Sequence, residues 1–505
     1  MILLAQINCA FFCIKTACFS NNNNMKNLFK SYKKNINLIT NAFNNRDDLI
    51  LREIKVGNHK FAIFYILGLS DAENISKLVI APIINHGKYG DNILQTLQDK
   101  VLYFSEIETE TQLDNIIVAI LKGESVIIAN DEKEVIILKS DKYKERTIAE
   151  PPTSAVIKGP RSGFVENIQT NLSSIKKILK TPDFKTIQLS IGRRTKTMVA
   201  ITYIDGIADP KVVNEIKKKL EAIDIDGILD TYYITQYLET RKQSMFKQVG
   251  ITEKPDIACG KLLEGRVAVF VDGSPIVLTL PFIFFEDLQS SNDYYSEKTH
   301  VSMVRIVRLC SLLITILLPG LYIAIELHHY KIIPLKYIIT ILNTTQGLPL
   351  TPLLELLFVL LLFEILYEAS LRMPRYLGQA MSIVGALILG DTAVKAGIVS
   401  PPAVMIIALS SISKYVIPDQ SSQMSLIRLI FILSGGLLGF YGMTVMFMFG
   451  LFYLSDMDAY GSAYLAPLSP FIRRDMKDFI IKSDLTEMTT RPKSISNKNS
   501  RRLKQ

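Results

Sequence analysis

The sequence predicts an α/β plus membrane-α protein: a two-lobed soluble α/β region followed by a polytopic helical membrane domain. Three observations predict it. Residues 306–454 are mostly Leu, Ile, Val, Phe, Gly and Ala, in runs long enough to cross a bilayer. The first 300 residues contain no such run and are rich in Lys, Asp, Glu and Asn. Within them, one order of strands, turns and helix is used twice.

These patterns set the boundaries. Residues 1–46 form an N-terminal segment, 47–152 a first lobe, and 153–300 a second lobe with a coupling segment. Residues 301–457 form the transmembrane domain and 458–505 a basic cytoplasmic tail. Residues 1–20 are apolar but lack the basic start of a secretory signal. Met25-Lys26-Asn27-Leu28 reads as a cytosolic start, so translation is expected to begin there. Residues 1–46 as a whole are expected to be mis-started or disordered. The formal net charge of +9 is concentrated partly in residues 473–504. Basic juxtamembrane segments favour the cytoplasmic side and anionic lipid. No nucleic-acid reader motif accompanies the charge, which argues against a nucleic-acid partner. Cys9, Cys13, Cys18, Cys259 and Cys310 are odd in number and fit no zinc spacing. They indicate a reducing compartment without a disulfide framework.

In the first lobe, residues 61–65 are a short β-rich run after a hairpin-like turn at Gly57-Asn58. In the second, residues 197–203 follow a turn at Gly192-Arg193. There Asp209 can cap a helix that opens with Pro210 and turns Val212, Val213, Ile216, Leu220 and Ile223 to one face. Each unit closes on a glycine, Gly123 or Gly265, and a β-hairpin. Glu150-Pro151-Pro152-Thr153 reads as the linker. A helix carrying Leu172, Ile175 and Leu179 follows, and Thr181-Pro182 stops it.

The membrane part has apolar segments over 306–327, 333–342, 352–370, 380–400, 402–417 and 426–454. Arg305, Arg308, Arg372 and Arg375 mark cytoplasmic ends. The second and fifth segments are short and bounded by prolines, so they are read as re-entrant or half-spanning. Four full and two partial crossings, or six crossings, return the tail to the inside.

Glu355, Glu364, Glu368, Asp391 and Lys395 lie inside these runs. A charge at that depth costs roughly 2.5–3.5 kcal/mol on insertion scales, so such groups must avoid lipid. Glu364, Glu368 and Arg372 are spaced i, i+4, i+8 and share a helix face; all three glutamates, Glu355 included, are read as an ion pathway or subunit contact. Glu355 lies about 180° from Glu364 around a helix. Asp391 and Lys395 form a second i, i+4 pair, with packing and pathway readings both open. Ala386, Gly390, Ala393 and Gly397 make a small-residue stripe suited to close helix approach. Gly435, Gly439 and Gly442 make another.

Just before the first span stand Glu286, Asp287, Tyr294 and Tyr295. Tyrosines suit the headgroup level. Anionic lipid repels the carboxylates, so they are expected to bind a basic surface. Arg193 and Arg194 in the turn at 192–196 are the candidates, on the same or a neighbouring subunit. That turn also reads as an anion site, a solvated hairpin tip or a headgroup contact. P-loop, dinucleotide, nucleophile-elbow and zinc-protease motifs are missing, so no enzymatic activity, cofactor or metal is expected.

Several long motifs carry a family resemblance. They are GPRSGFVENIQTNLSSIKKILKTPDFK, GRRTKTMVAITYIDGIADPKVV, LLEGRVAVFVDGSP, FFEDLQSSNDYY, RMPRYLGQAMSIVGALILGDTAVKAGIVSP and APLSPFIRRDMKDF. With them the chain resembles, over about 47–502, the A subunit of GerA-type spore germinant receptors, a family with stage V sporulation AF-like members. It departs from the family pattern at Val359-Leu360, where Met-Glu is usual, and at residues 367–370, where Arg-Glu-Ala-Gly is usual. Both changes remove polar groups from the third segment. The resemblance implies a protein of the spore inner membrane with a permease-like B subunit and a lipoprotein C subunit. It also implies a homo-oligomeric, ligand-gated cation channel that turns nutrient sensing into ion release. A secondary transporter and a non-conducting scaffold or dipicolinate-release paralogue are the alternatives.

Overall fold

The computed structural model describes residues 27–502, except 45, 88, 90, 91, 105, 106, 141–157 and 374–389. The linker at 150–153, the start at Met25, residues 380–389 of segment 380–400 and Ala386 therefore lie outside the described residues.

Both lobes are built on a five-stranded antiparallel sheet. In lobe 1 the strands are β1 (Leu49–Val56), β2 (His59–Ile66), β3 (Ile107–Glu110), β4 (Ser125–Ala129) and β5 (Val135–Leu138). Their order is β1-β2-β4-β5-β3. In lobe 2 they are β6 (Phe184–Ile191), β7 (Thr197–Ile204), β8 (Gly250–Thr252), β9 (Val267–Val271) and β10 (Val277–Leu280). Their order, β6-β7-β9-β10-β8, is the same order one lobe later. Each sheet is covered on both faces, which is why β2, β4, β7 and β9 read as near-continuous apolar runs rather than alternating ones.

Lobe 1 starts before residue 47: α1 (Tyr32–Ala42), in the segment expected to be mis-started or disordered, is ordered because Ile39 and Phe43 join the core, and with α2 (Leu113–Lys122) it covers the face of Ala62 and Phe64. A helical stretch containing Ile75, Val79 and Ile83 covers the face of Phe61 and Ile63. In lobe 2, α3 (Ile168–Ile178) and α6 (Pro255–Glu264) lie on one face. On the other lie α4 (Pro210–Glu221) and α5 (Thr231–Leu238). Asp209 caps α4 through the Lys211 amide at 2.9 Å, and Val212, Val213, Ile216 and Leu220 are buried beneath it. Burying each such side chain contributes at most about 1.5–3 kcal/mol. α2 and α6 both end on a glycine at positive φ, Gly123 at +95° and Gly265 at +104°. The chain must turn there directly into β4 or β9, a backbone state that side chains disfavour.

The lobes meet at Asp48. It binds Arg46 at 2.7 Å and Lys176 of α3 at 2.6 Å. Burial opposes its ionisation, yet the two cations hold its carboxyl down at about 2.

The helical part begins with α7 (Lys298–His328) and continues through α8 (Leu335–Thr345), α9 (Pro352–Arg372), α10 (Pro401–Lys414) and α11 (Ser421–Ser455). Among the described residues, two helices are long and apolar enough to cross a membrane, Lys298–His328 and Pro418–Ser455. α9 has the length but carries Glu355, Glu364 and Glu368.

Segment 426–454 is not one straight crossing. Gly439 is non-helical, at φ +61° and ψ −146°, and the chain reverses there. A Cβ on Gly442 would lie 2.6 Å from the carbonyl oxygen of Ser434, a distance that a straight helix cannot give eight residues apart. The arms, 421–438 and 440–455, are roughly 27 and 24 Å long at 1.5 Å per residue. Both pack on α7, and both open ends return to lobe 2. Met424 meets Leu288 and Leu312, while Tyr453 and Leu454 pack against the cluster of Phe282, Met457, Tyr464 and Leu465. Gly439 therefore serves a turn against His328 and His329, not a packing stripe. Gly435 does allow a close approach: its Cβ would stand 2.5 Å from the Gly320 carbonyl oxygen of α7. Gly397 also departs from its expected role. At φ +65° it ends a helical turn, and a Cβ there would meet nothing within 4 Å. Ala393 packs beside Leu356 and Val359, and Gly390 faces Val404.

Candidate functional site

The candidate site is the junction where lobe 2 passes into α7. It starts with a turn of 3-10 helix, Phe284–Leu288, which presents Glu286 and Asp287 inward. Glu286 accepts from Lys261 at 3.1 Å and pairs directly with Arg266, the second residue after α6. Asp287 pairs with Lys247 at 3.0 Å. All of these side chains are largely buried. Burial works against the Glu286 charge, but Arg266, Lys261 and Lys247 outweigh it and hold the carboxyl below its usual range. For Asp287, burial outweighs the attraction of Lys247, and Asp419 and Glu286 add repulsion, so its carboxyl is pushed up to about 6.

A second acidic point follows in the short helix Ser291–Tyr294. The Asp293 carboxylate accepts from the Ser290 amide at 3.2 Å and so caps that turn. It also binds both arginines at the base of α7, Arg305 at 3.0 Å and Arg308 at 2.8 Å. Burying arginines is tolerable only with such a counter-charge, although Arg305 Nη2 has no hydrogen-bond partner among the described residues. A cavity of about 370 Å³ adjoins this network, walled by Lys261, Glu264, Arg266, Glu286, Asp287 and Tyr294.

The basic tail takes part. It does not extend from the protein but folds back over lobe 2, burying Phe479, Met488 and Ile495. Its Asp478 accepts from Arg305 at 2.8 Å and from the Tyr294 hydroxyl at 2.8 Å. Its Lys482 donates to the carbonyl of Asp293 at 2.6 Å. The tail's positive charge suggested lipid; its apolar residues, spaced among the charges, are what dock it.

The expected partners of Glu286 and Asp287 are corrected within the chain. Arg193 binds Asp224 at 2.5 Å and Arg194 lies 4.0 Å from Asp226, all four exposed. The 192–196 turn is held by the neighbouring loop, through Arg193 N to the Ile225 carbonyl at 2.9 Å. Nor does anionic lipid face the acidic pair, because lobe 2 encloses it. Tyr294 is enclosed as well. Tyr295 is the more open ring and donates to Asp256 at 3.1 Å. Lys247, Lys261 and Arg266 went unassigned in the sequence. The one local signal was Arg266 inside the LLEGRVAVF motif, directly after the Gly265 turn.

The helical part holds a polar layer of its own. Arg428, fully buried in the first arm of α11, donates to Glu364 at 2.5 Å and to Ser410 at 2.9 Å. Lys414, at the end of α10, reaches both Glu364 oxygens at 3.2 Å and Ser425 at 3.1 Å. Glu364 is therefore neutralised within one chain and does not act in common with Glu368, although both lie on one helix face. Glu368 pairs with Arg372 at 2.6 Å, and Asp391 with Lys395 at 2.5 Å; both pairs are exposed on the bundle. Glu355, on the other side of α9, is buried and accepts from the amide and hydroxyl of Ser400, each at 2.6 Å. It meets the start of α10, on the side of α9 away from Glu364.

The chain was then compared with known proteins. Residues 37–494 match the family described as Bacillus/Clostridium GerA spore germination protein. The chain is 36% identical over 472 residues to spore germination protein KA of Bacillus subtilis (strain 168), covering 92% of this chain and 87% of that one. It is 30% identical over 475 residues to spore germination protein A1 of the same strain, covering 93% and 97%. The uncharacterized membrane protein YfkQ of that strain is 33% identical over 471 residues, covering 92% of each chain. Among solved structures, the N-terminal domain of the A subunit of the Bacillus megaterium spore germinant receptor GerK3 is 30% identical. That match covers 51% of this chain and 96% of the domain, with a TM-score of 0.40. On the family match and these identities together, the chain belongs to the GerA spore germination protein family.

Proposed function

We propose that this chain is the A subunit of a nutrient germinant receptor in the spore inner membrane. It converts nutrient sensing into the ion release that starts germination. In this reading residues 301–457 are a polytopic membrane domain, with the lobes and the tail together on the cytoplasmic side. The return of both α11 arms to lobe 2 supports that placement.

The observation that carries the channel reading is the position of two ion pairs. Glu368–Arg372 and Asp391–Lys395 stand exposed on the bundle of a single chain, in segments that are otherwise apolar. Charges at membrane depth face protein or water, not lipid. Copies of the chain around an axis supply that surface, and charged rings select ions. A permease-like B subunit and a lipoprotein C subunit complete the receptor. The test is cation flux through the receptor reconstituted with its partners. Glu368→Gln reduces flux while assembly is retained. Unchanged flux in that variant defeats the channel reading.

A second reading, a non-conducting scaffold, is favoured by one observation. Glu364, the most deeply placed acid of its face, is satisfied by Arg428 and Lys414 as a packing contact is. Proton-coupled uptake by the chain alone would instead indicate a secondary transporter.

A further inference from the structure

We propose that residues 473–502 act as a detachable strap that couples lobe 2 to the first membrane helix. The proposal rests on the receptor reading for its functional consequence, but not for its geometry.

One end of the strap is tied to lobe 2. The Ser496 hydroxyl donates to Asp209 at 2.6 Å, at the start of α4. The Lys498 amide donates to the Ile207 carbonyl at 2.9 Å. Arg491 donates to the Leu263 carbonyl, near the end of α6, at 2.7 Å. Gly265 is the seat: a Cβ there would stand 2.9 Å from the side chain of Asn497. The other end is tied to the base of α7. Asp478 holds Arg305 and Tyr294, each at 2.8 Å. The Lys482 amide donates to the Ser302 hydroxyl of α7 at 3.2 Å, and its ammonium to the Ser296 carbonyl at 3.1 Å. Phe479 stacks edge-on against Phe285, with ring centroids 4.5 Å apart.

The strap has almost no regular structure of its own. Among the described residues it holds two single turns, Asp475–Lys477 and Leu485–Glu487. It is tied to itself by a short pairing of residues 489–491 with 500–502, through Arg491 N to the Ser500 carbonyl at 2.9 Å, and by the Ser494 amide donating to Asp475 at 2.7 Å, so its place, though not all of its order, is set by the two bodies that it joins. A segment held by separate side-chain contacts opens at a lower free energy than a packed helix or strand. Engaged, the strap fixes α4 and α6 relative to Arg305. Released, it frees lobe 2 to turn against α7; Arg308 keeps both Asp293 oxygens and Arg305 keeps Asp293 through Nε, while its Nη1 exchanges Asp478 and Phe479 for water.

Two experiments on the full chain in membranes test this. In the first, Asp209→Cys and Ser496→Cys are combined, with each single variant as control, alongside the partner subunits. The oxidised double variant loses its nutrient response and a reductant restores it, while each single variant responds equally in oxidised and reduced form. An equal response from oxidised and reduced protein overturns the coupling role. In the second, limited proteolysis compares the parent with Asp478→Asn. Cleavage within 473–502 rises about tenfold, the factor that one lost charge-assisted hydrogen bond gives, while both lobes stay intact. Unchanged cleavage overturns the strap as a detachable element. A parent chain that answers no nutrient overturns the receptor reading alone, because the proteolysis result still judges the strap.

Discussion

Arg428 and Glu364, 64 residues apart in sequence, meet at 2.5 Å between two helices, and the arginine has no exposed surface. The pair joins α9 to the first arm of α11, and Lys414 joins α10 to both. A buried cation that loses its carboxylate is left without a counter-charge. Glu364→Gln is therefore expected to destabilise the helical bundle by about 3–5 kcal/mol. Adding Arg428→Met recovers much of the loss. Thermal unfolding of the detergent-solubilised chain measures both variants, and a stable Glu364→Gln protein refutes this role.

Glu368 gives the contrasting expectation. Its pair with Arg372 is exposed, so Glu368→Gln changes stability by no more than about 1 kcal/mol. The same unfolding experiment checks it. A large loss would place Glu368 in a buried contact that one chain does not contain.

Gly439 is expected to tolerate no side chain. Its φ of +61° is unfavourable for other residues, and a Cβ would come within 2.9 Å of His329. Gly439→Ala should cost on the order of 1–3 kcal/mol. Gly450→Ala, in the second arm with nothing within 4 Å of its Cβ, should be neutral or slightly stabilising. Equal melting shifts for the two would argue against a reversal at Gly439.

The two shifted aspartates give stability of opposite pH dependence. Asp48 is held down at about 2, so its contribution is present above its ordinary carboxylate range and is lost as pH falls through about 2. Asp287 is pushed up to about 6, so the folded state binds its proton more tightly than the unfolded one. Its contribution is fully present below the ordinary carboxylate range and is lost as pH rises through about 6. Asp287→Asn should flatten the fall in melting temperature between about pH 4 and pH 6, a contribution of about 3 kcal/mol. A slope unchanged by the substitution would assign that pH dependence elsewhere.

Arg266 and Arg193 separate the junction from the exposed turn. Arg266→Ala leaves Glu286 buried with fewer partners and should cost about 3 kcal/mol or more. Arg193→Ala removes only an exposed pair, and its effect should fall within about 1 kcal/mol. Denaturant unfolding of the two variants decides this. A small effect at Arg266 would mean that Lys261 and Lys247 suffice.

The sequence by itself determined what local rules control. The paired turns at Gly57 and Gly192, the cap at Asp209 and the apolar face of α4 were all legible because each depends on neighbours a few residues away. The repeat was legible for the same reason, and the shared strand order extends it. Long apolar runs marked the helices. Tertiary structure alone decided which charges meet. Glu286 with Arg266, Glu364 with Arg428 and Arg305 with Asp478 are pairs between separate elements. Spacing within one helix cannot select among several cations of the same type. It also decided the reversal at Gly439, since an apolar run containing glycines reads equally well as one long helix or as two arms. Finally, it decided the tail. Its net charge pointed outward to lipid, but a few buried side chains and a set of backbone contacts with lobe 2 and α7 gave it a fixed course.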